Sequence, residues 1–177
     1  MILRILAVGD VVGAPGLAFL SEHLRAFKEQ EHIDFTVVNG ENANVVGVTP
    51  KQADAIFAAG ADAICIAEPS GTGEILGRRF FHEYSLPYLN RLLDSLEVPV
   101  KIVHICGRLH SIYEELSALH CDAFSFDACV SIEEIKPYLA GKAIMGNINT
   151  HALGSMSGNK IEQLTKAALN KGADIVA

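Results

Sequence analysis

The sequence lacks several features that would each indicate a particular class of protein. No uninterrupted apolar run approaches the roughly 20 residues of a membrane-spanning helix. Aspartate and glutamate outnumber lysine and arginine, the formal net charge is −7, and no basic cluster occurs. Binding to a nucleic-acid backbone requires clustered basic residues. We therefore expect neither a membrane protein nor a nucleic-acid-binding protein.

Disulfide and export signals are absent as well. The cysteines, Cys65, Cys106, Cys121 and Cys129, form no CxxC pair, and this predicts free thiols rather than a disulfide framework. The apolar start MILRILAVG leads into Asp10 instead of a small-residue cleavage site, so we expect no signal peptide. Together these features predict a cytoplasmic protein.

What the sequence does have is a regular alternation of apolar, strand-like runs and amphipathic, helix-like segments. The runs predict seven strands, at residues 2–9, 34–39, 62–67, 99–105, 121–126, 142–147 and 173–177. Helical patterns lie at residues 15–30, 50–60, 74–96, 109–119, 131–139 and 159–171. Such alternation is typical of a parallel sheet covered by helices. The length of 177 residues favours a single α/β domain over residues 1–177.

Helix-end signals and an internal echo refine this fold prediction. Residues 49–50, Thr-Pro, predict a helix start, and residues 131–134 form a capping box. The tripeptide GAD at residues 60–62 recurs at 172–174, each time between a helix and a strand. This echo is typical of the βα repeats of a TIM barrel. Seven strands are one short of a closed barrel, so an incomplete barrel, one completed by a second chain, and an open doubly wound Rossmann- or flavodoxin-like sheet are the alternatives.

The predicted strand ends gather polar residues at one rim. In parallel α/β folds, ligands bind at the carboxyl ends of the strands, where this sequence places Asp10, Glu41, Glu68, Cys106, Asp127 and Asn147. We therefore expect a small-molecule site at this rim. Seven strands leave unpaired edges, which favour association, so we also predict a homo-oligomer, most simply a dimer.

Two polar motifs end the first two predicted strands. AVGDVVG contains Asp10, and NGEN contains Glu41 and Asn42. Carboxylate and carboxamide oxygens bind hard divalent cations, and the same groups also cap turns and helices. Through these motifs, residues 1–64 resemble the YmdB-like metallophosphoesterases. The resemblance implies that Asp10, Glu41 and Asn42 correspond to ligands of a two-metal, Mn- or Fe-type centre that hydrolyses phosphodiesters.

The same resemblance implies further ligands that this chain does not carry. Where the family continues into a Gly-Asn-His with a catalytic imidazole, this sequence reads Ala67-Glu68-Pro69. The family's later metal-binding histidines correspond to a region that this chain does not resemble. The first set of motifs thus predicts a partial metal centre.

A second set of motifs runs from about residue 60 to residue 177. It comprises IAEPSGTGEILGRRFFHEYSLPYLNRLLD, VKIVHICG, AFSFDACVSIEEIK and AIMGNINT. These motifs resemble the uroporphyrinogen decarboxylase superfamily, and within it the methylcobamide:thiol methyltransferases. The resemblance implies part of a (βα)8 barrel, with a change from one family to the other near residues 60–67. We interpret the chain as a chimera of two βα-built parents, natural or engineered.

His104 and Cys106 carry the chemistry of this second part. They lie two residues apart on a predicted strand, so their side chains share a face. An imidazole and a thiolate together are a suitable ligand pair for zinc. A histidine and a cysteine that are simply packed in the core would have the same spacing, so the spacing alone leaves both interpretations open. The resemblance implies a zinc ion that binds an acceptor thiol as thiolate, for attack on the methyl group of a partner-bound corrinoid.

The zinc site predicted in this way is one ligand short. The third ligand that the resemblance implies is a cysteine beyond GADIVA, residues 172–177. Asp127, Cys129, Glu68 and His151 are the alternatives, and the spacing selects none of them. The prediction is therefore a methyltransferase-like protein with a partial zinc site, and a non-catalytic α/β scaffold is the alternative.

The remaining predictions concern substrate binding. PSGTGEILG, residues 69–77, matches neither GxGxxG nor a P-loop, so it is either an anion-binding turn or a plain strand-to-helix turn. Glu68, Ser70 and Gly71 near this loop, with Asp127 and Asn147 at later strand ends, are the predicted substrate-binding residues. Asn147 can equally cap its own loop.

Overall fold

The computed structural model describes residues 4–45, 47–98 and 100–176. Within them lie six strands: β1 (Ile5–Val8), β2 (Phe35–Asn39), β3 (Ala63–Ala67), β4 (Lys101–Ile105), β5 (Ala123–Phe126) and β6 (Ala143–Met145). The α-helices are α1 (Gly13–Glu31), α2 (Pro50–Ala58), α3 (Gly77–Phe80), α4 (Leu86–Asp94), α5 (Tyr113–Leu116), α6 (Ile132–Ile135), α7 (Thr150–Ser155) and α8 (Gly158–Lys171). A π-helical turn, Phe81–Ser85, follows α3. None of the helices in the described ranges is long and apolar enough to cross a membrane.

The chain forms two compact units. The first reaches to Ala67 and includes Arg91–Ile102, and the second holds Glu68–Asn90 and the chain from Val103 onwards. In the first unit β2 pairs in parallel with β1 and with β3. The second unit holds the last three residues of β4, followed in strand order by β5 and β6, and β5 pairs in parallel with β6.

The order of the strands decides between the predicted alternatives. A doubly wound sheet reverses its strand order at a switch point, whereas the strands of each unit follow one another in chain order. The predicted class, an α/β fold of parallel βα repeats like those of a TIM barrel, is confirmed. The first of the two segments that make up the first unit ends at Ala67. Ala67 is also the last residue of the predicted family junction.

The prediction of a seventh strand needs correction. Instead of a strand over residues 173–177, the described part of this segment forms one bridge, between Ile175 and Met145 of β6. Only Asp174 and Ile175 exchange backbone hydrogen bonds there, with Ile144 and Gly146. Residues 2–3, 99 and 177 of the predicted strands lie outside the described residues.

The predicted helix over residues 74–96 is interrupted. Gly77 has a φ of +67°, a left-handed conformation that separates residues 74–76 from α3. The π turn then separates α3 from α4. By contrast, the predicted start of α2 is confirmed, since Thr49 N–H donates to Gln52 Oε1 over 2.9 Å.

An aspartate placed just before a strand fixes how that strand pairs with its neighbour. Asp62 accepts the N–H of Thr36 through its carboxylate (2.8 Å) and donates its own N–H to the Thr36 carbonyl (2.9 Å). Asp174 makes the same two bonds to Ile144, both 2.9 Å long. Asp34 repeats the arrangement on the residue before β1. The GAD echo in the sequence is therefore a repeated strand-pairing element.

Candidate functional site

The carboxyl ends of β4 and β5 bring together three residues with metal-binding side chains. His104 lies in β4, Cys106 follows it directly, and Asp127 follows β5. One ligand atom from each lies within 4.8 Å of the other two. His104 Nε2 is 3.6 Å from Asp127 Oδ1, and these side chains are 25% and 44% exposed. The cluster thus joins the predicted His-x-Cys pair to one of the four alternative third ligands.

Asp127 is held in place by a backbone donor and by its own loop. Its Oδ2 accepts the N–H of Gly107 over 2.7 Å. Gly107 has a φ of +75°, and a Cβ there would lie 2.8 Å from Thr72 Oγ1, so the turn that presents this N–H requires glycine. Asn147 Nδ2 donates to the carbonyls of Asp127 (3.1 Å) and Val130 (2.6 Å). The amide of Asn147 therefore caps the loop after β5.

Ser125 is a site residue that the sequence analysis did not identify. Its Oγ lies 2.9 Å from His104 Nδ1, and the residue is only 6% exposed. Ser125 is two residues before Asp127, so both side chains share one face of β5. The sequence contains a signal for this role, because polar residues alternate with an apolar one both in Ser125-Phe126-Asp127 and in His104-Ile105-Cys106. A serine in a buried strand, however, cannot be told from any other small core residue by sequence alone.

A cavity of about 390 Å³ opens beside this cluster. Its walls include His104, Ser125 and Asp127, together with Asn147 and His151. That volume is at the lower end of the range for small-molecule sites. The predicted substrate residues Asp127 and Asn147 line this cavity, as do Cys129 and His151, which do not belong to the three-residue cluster.

The Gly-rich loop uses its backbone donors within the protein. Ser70 N–H donates to Glu68 Oε1 (2.9 Å), Gly71 N–H to the Glu68 carbonyl (3.3 Å) and Gly73 N–H to the Arg108 carbonyl (3.1 Å). A Cβ on Gly71 would lie 2.7 Å from Glu68 Cγ, so this glycine permits close packing. The geometry favours the plain turn over the anion-binding turn. Substrate binding by Glu68, Ser70 and Gly71 stays a prediction.

In the first unit, the structure brings Asp10 and Asn42 into contact. Asn42 Nδ2 donates to Asp10 Oδ2 over 2.8 Å, and the Asn42 carbonyl accepts the N–H of Gly13 (2.8 Å) at the start of α1. Glu41 directly precedes Asn42 in the sequence and is half-buried. Its N–H donates to Asn39 Oδ1 over 3.1 Å. The arrangement fits both the turn-capping and the metal-ligand interpretation of this motif.

The thiols differ in their surroundings. None of the four cysteines, all of which lie in the described ranges, forms a disulfide bond. Burial raises the pKa of the Cys121 thiol to about 11, so this residue stays neutral and unreactive at physiological pH. Cys106 is half-buried, and Cys129 is exposed.

Comparison with known proteins confirms both predicted resemblances. The profile of the YmdB-like protein family matches residues 6–70. Over 63 residues the chain is 43% identical to the 2′,3′-cyclic-nucleotide 2′-phosphodiesterase of Bacillus subtilis, which is 35% of this chain and 24% of that protein. This match covers too little of either protein to establish a shared activity.

The second match is more extensive. The chain is 29% identical over 127 residues to a methylcobamide:CoM methyltransferase of Methanosarcina mazei, which is 70% of this chain and 38% of that relative. A solved structure of a methyltransferase from Methanosarcina mazei has a TM-score of 0.77 at 20% identity, over 97% of this chain and 63% of that chain, and it shows the likeness of fold. The profile described as uroporphyrinogen decarboxylase (URO-D) matches residues 44–177, and it overlaps the first profile at the predicted junction. Because that profile covers more than half of the sequence, the chain belongs to the uroporphyrinogen decarboxylase family.

Proposed function

We propose that this chain provides the zinc centre of a corrinoid-linked, thiol-activating methyltransferase, with His104, Cys106 and Asp127 as the ligands. The observation that carries the proposal is the convergence of these three side chains within 4.8 Å. The relatives named methylcobamide:CoM methyltransferases support it. With it we propose a corrinoid-bearing protein as the methyl donor and a cytoplasmic location, which suits four cysteines that form no disulfide among the described residues.

The chemistry of the three side chains fits zinc. Imidazole nitrogen, thiolate sulfur and carboxylate oxygen are all common zinc ligands. A tetrahedral ion holds its ligand atoms about 3.3 to 3.8 Å apart, given zinc–ligand bonds of about 2.0 to 2.3 Å. The observed spread of up to 4.8 Å therefore requires a side-chain adjustment of about 1 Å. Three protein ligands leave a fourth position open, as in catalytic zinc sites.

The protein's own groups define what this site can accept. When bound, zinc lowers the pKa of a coordinated thiol so that a thiolate exists at neutral pH. Asp127, fixed by the N–H of Gly107, keeps its carboxylate directed at His104. The cavity beside His104 leaves room for the rest of a small thiol, and Asn147 holds the loop that forms one of its walls.

Metal analysis of the purified chain tests the proposal. We expect one zinc per chain in the wild type, and its loss in His104→Ala, Cys106→Ala and Asp127→Asn, because a site of three ligands does not survive the loss of one. Cys129→Ser is the matched control, since this thiol lines the same cavity outside the cluster and should leave zinc binding intact. A zinc-free wild type would contradict the proposal. Zinc retained in Asp127→Asn and lost in Cys129→Ser would instead identify Cys129 as the third ligand.

The proximity of Asp10 and Asn42, together with the match to the YmdB-like family, supports a second candidate, a partial phosphodiesterase-type metal centre in the first unit. The same analysis distinguishes it, because manganese or iron bound there should be lost in Asp10→Asn and kept in His104→Ala. Manganese-stimulated hydrolysis of bis-p-nitrophenyl phosphate, sensitive to the same change, would support it. Absence of both metals and of turnover would favour turn capping as the role of this motif.

A further inference from the structure

The hydrogen bond between Ser125 and His104 determines which imidazole nitrogen faces the other ligands. Ser125 Oγ lies 2.9 Å from Nδ1, while the opposite nitrogen, Nε2, lies 3.6 Å from Asp127 Oδ1. The two bonding directions of the ring are thus divided between a buried hydroxyl and the metal-binding cluster. A histidine that binds zinc through Nε2 must carry its proton on Nδ1.

A serine hydroxyl can form a hydrogen bond with either tautomer of the imidazole ring. It has one donor and two acceptor positions, and its hydrogen rotates to suit the partner. When Nδ1 carries the proton, Ser125 accepts it in a hydrogen bond and Nε2 presents a lone pair. When Nε2 carries the proton and donates toward Asp127, Ser125 donates to Nδ1 instead. A carboxylate in this place would accept only, and alanine would do neither.

We propose that Ser125 is a positioning residue for His104, which holds the ring in the orientation that directs Nε2 at the position shared with Cys106 and Asp127 and accepts the Nδ1 proton in a hydrogen bond when Nε2 presents its lone pair. The inference rests on the proposed zinc site. It adds a residue whose hydroxyl contacts the ligand His104 and is not itself one of the three ligands.

Zinc affinity of the full chain, measured by competition with a chelator, tests this role. We expect Ser125→Ala to weaken zinc binding about 10- to 100-fold, the usual effect of removing a partner of a ligating histidine. Ser125→Thr keeps the hydroxyl and should restore affinity close to that of the wild type. Thr36→Val is the control for loss of a buried hydroxyl elsewhere, and it should leave zinc affinity unchanged. Wild-type affinity in a folded Ser125→Ala variant would overturn the inference and leave the zinc site standing.

A second measurement is made on the wild type and does not depend on a Ser125 variant folding. In zinc-loaded wild type labelled with ¹⁵N-histidine, the resonances that disappear in His104→Ala report the state of this ring. We expect a protonated Nδ1 and a metal-bound Nε2. Zinc on Nδ1 would overturn the role of Ser125 while the zinc site remains, whereas a wild type that binds no zinc would overturn both.

Discussion

At the scale of single residues, Thr36 has a fully buried hydroxyl without a hydrogen-bond partner among the described residues. Its backbone groups are engaged by Asp62, so the side chain alone is unsatisfied. A buried donor left without a partner costs about 1 to 3 kcal/mol. We therefore expect Thr36→Val to raise the free energy of unfolding by about 1 kcal/mol, as measured by urea denaturation.

The control for that change is a threonine whose hydroxyl is used. Thr165 Oγ1 donates to the carbonyl of Ile161 over 3.0 Å, so Thr165→Val removes a bond rather than an unsatisfied group. It should not stabilise the chain. Equal stabilisation by the two substitutions would show that the added methyl group, and not the removed hydroxyl, is responsible.

Residue roles in the site could be predicted from the sequence only where they depend on local spacing. His104 and Cys106 are two residues apart, so the period of a strand reveals that they share a face. Asp127 lies 21 residues beyond Cys106, and only the positions of β4 and β5 select it from the four alternatives. Ser125 was missed for the same reason, since its role depends on the ring of His104 on another strand.

At the scale of elements, Glu115 connects α5 to α3 and to the π turn that follows it. Its carboxylate contacts His82 Nδ1 in the π turn over 2.6 Å, and Arg78 Nε in α3 donates to it over 2.9 Å. The side chain is only 11% exposed. These bonds, from His82 first and then from Arg78, hold the pKa of Glu115 below its ordinary value of 4.5.

The sign of the pKa shift fixes the pH dependence. A carboxyl whose pKa is lowered by folding stabilises the protein above its unfolded pKa, and this stabilisation is lost as the pH falls through the lowered value. We expect Glu115→Gln to reduce the free energy of unfolding at pH 7 by about 1 kcal/mol. The difference from wild type should shrink as the pH falls below 4.5.

Urea denaturation at several pH values measures this difference. Glu162→Gln is the control, because Glu162 pairs with Lys166 on an exposed helix surface, where such pairs contribute little. A Glu115→Gln variant that stays as stable as wild type at pH 7 would show that solvent screens the interactions of Glu115 with His82 and Arg78.

The elements themselves were predictable to different degrees. All six strands lie inside the predicted runs, because burial of a strand interior favours apolar residues, but only β1 and β3 are continuously apolar over four or five residues. The short helix α7 was missed, since its start depends on the side chain of Asn149 accepting the N–H of His151. The break in the helix after residue 76 depends on the left-handed backbone of Gly77. Glycine permits this conformation, but the presence of a glycine does not predict it.

At the scale of the whole molecule, β1 stands first in the strand order and has an edge without a strand partner among the described residues. Ile5 on this strand is 60% exposed, and Phe19 and Phe27 of α1 are also exposed. Edges and apolar surfaces of this kind favour association, and the predicted homo-oligomer follows from them.

Light scattering at micromolar concentration tests the predicted association. We expect a mass above that of the monomer, and a shift toward the monomer in Ile5→Lys, since a charge on an edge strand opposes pairing. Tyr88→Lys changes an equally exposed side chain outside the edge and serves as the control. A sharp monomer mass for the wild type would contradict the prediction.

The paired bonds of Asp34, Asp62 and Asp174 have a consequence for how such chains can be reassembled. Each carboxylate accepts a main-chain N–H of the adjoining strand or of the residue before it, and that of Asp62 also pairs with Lys28 Nζ of α1 over 2.6 Å. The bond to the strand therefore does not depend on which side chains that strand carries. A βα module that opens with this aspartate can make the same two backbone bonds whatever side chains the adjoining strand carries. Exchange of modules at Asp62, beside the join between the two family resemblances, therefore keeps this strand alignment even when the side chains of the neighbouring strand change.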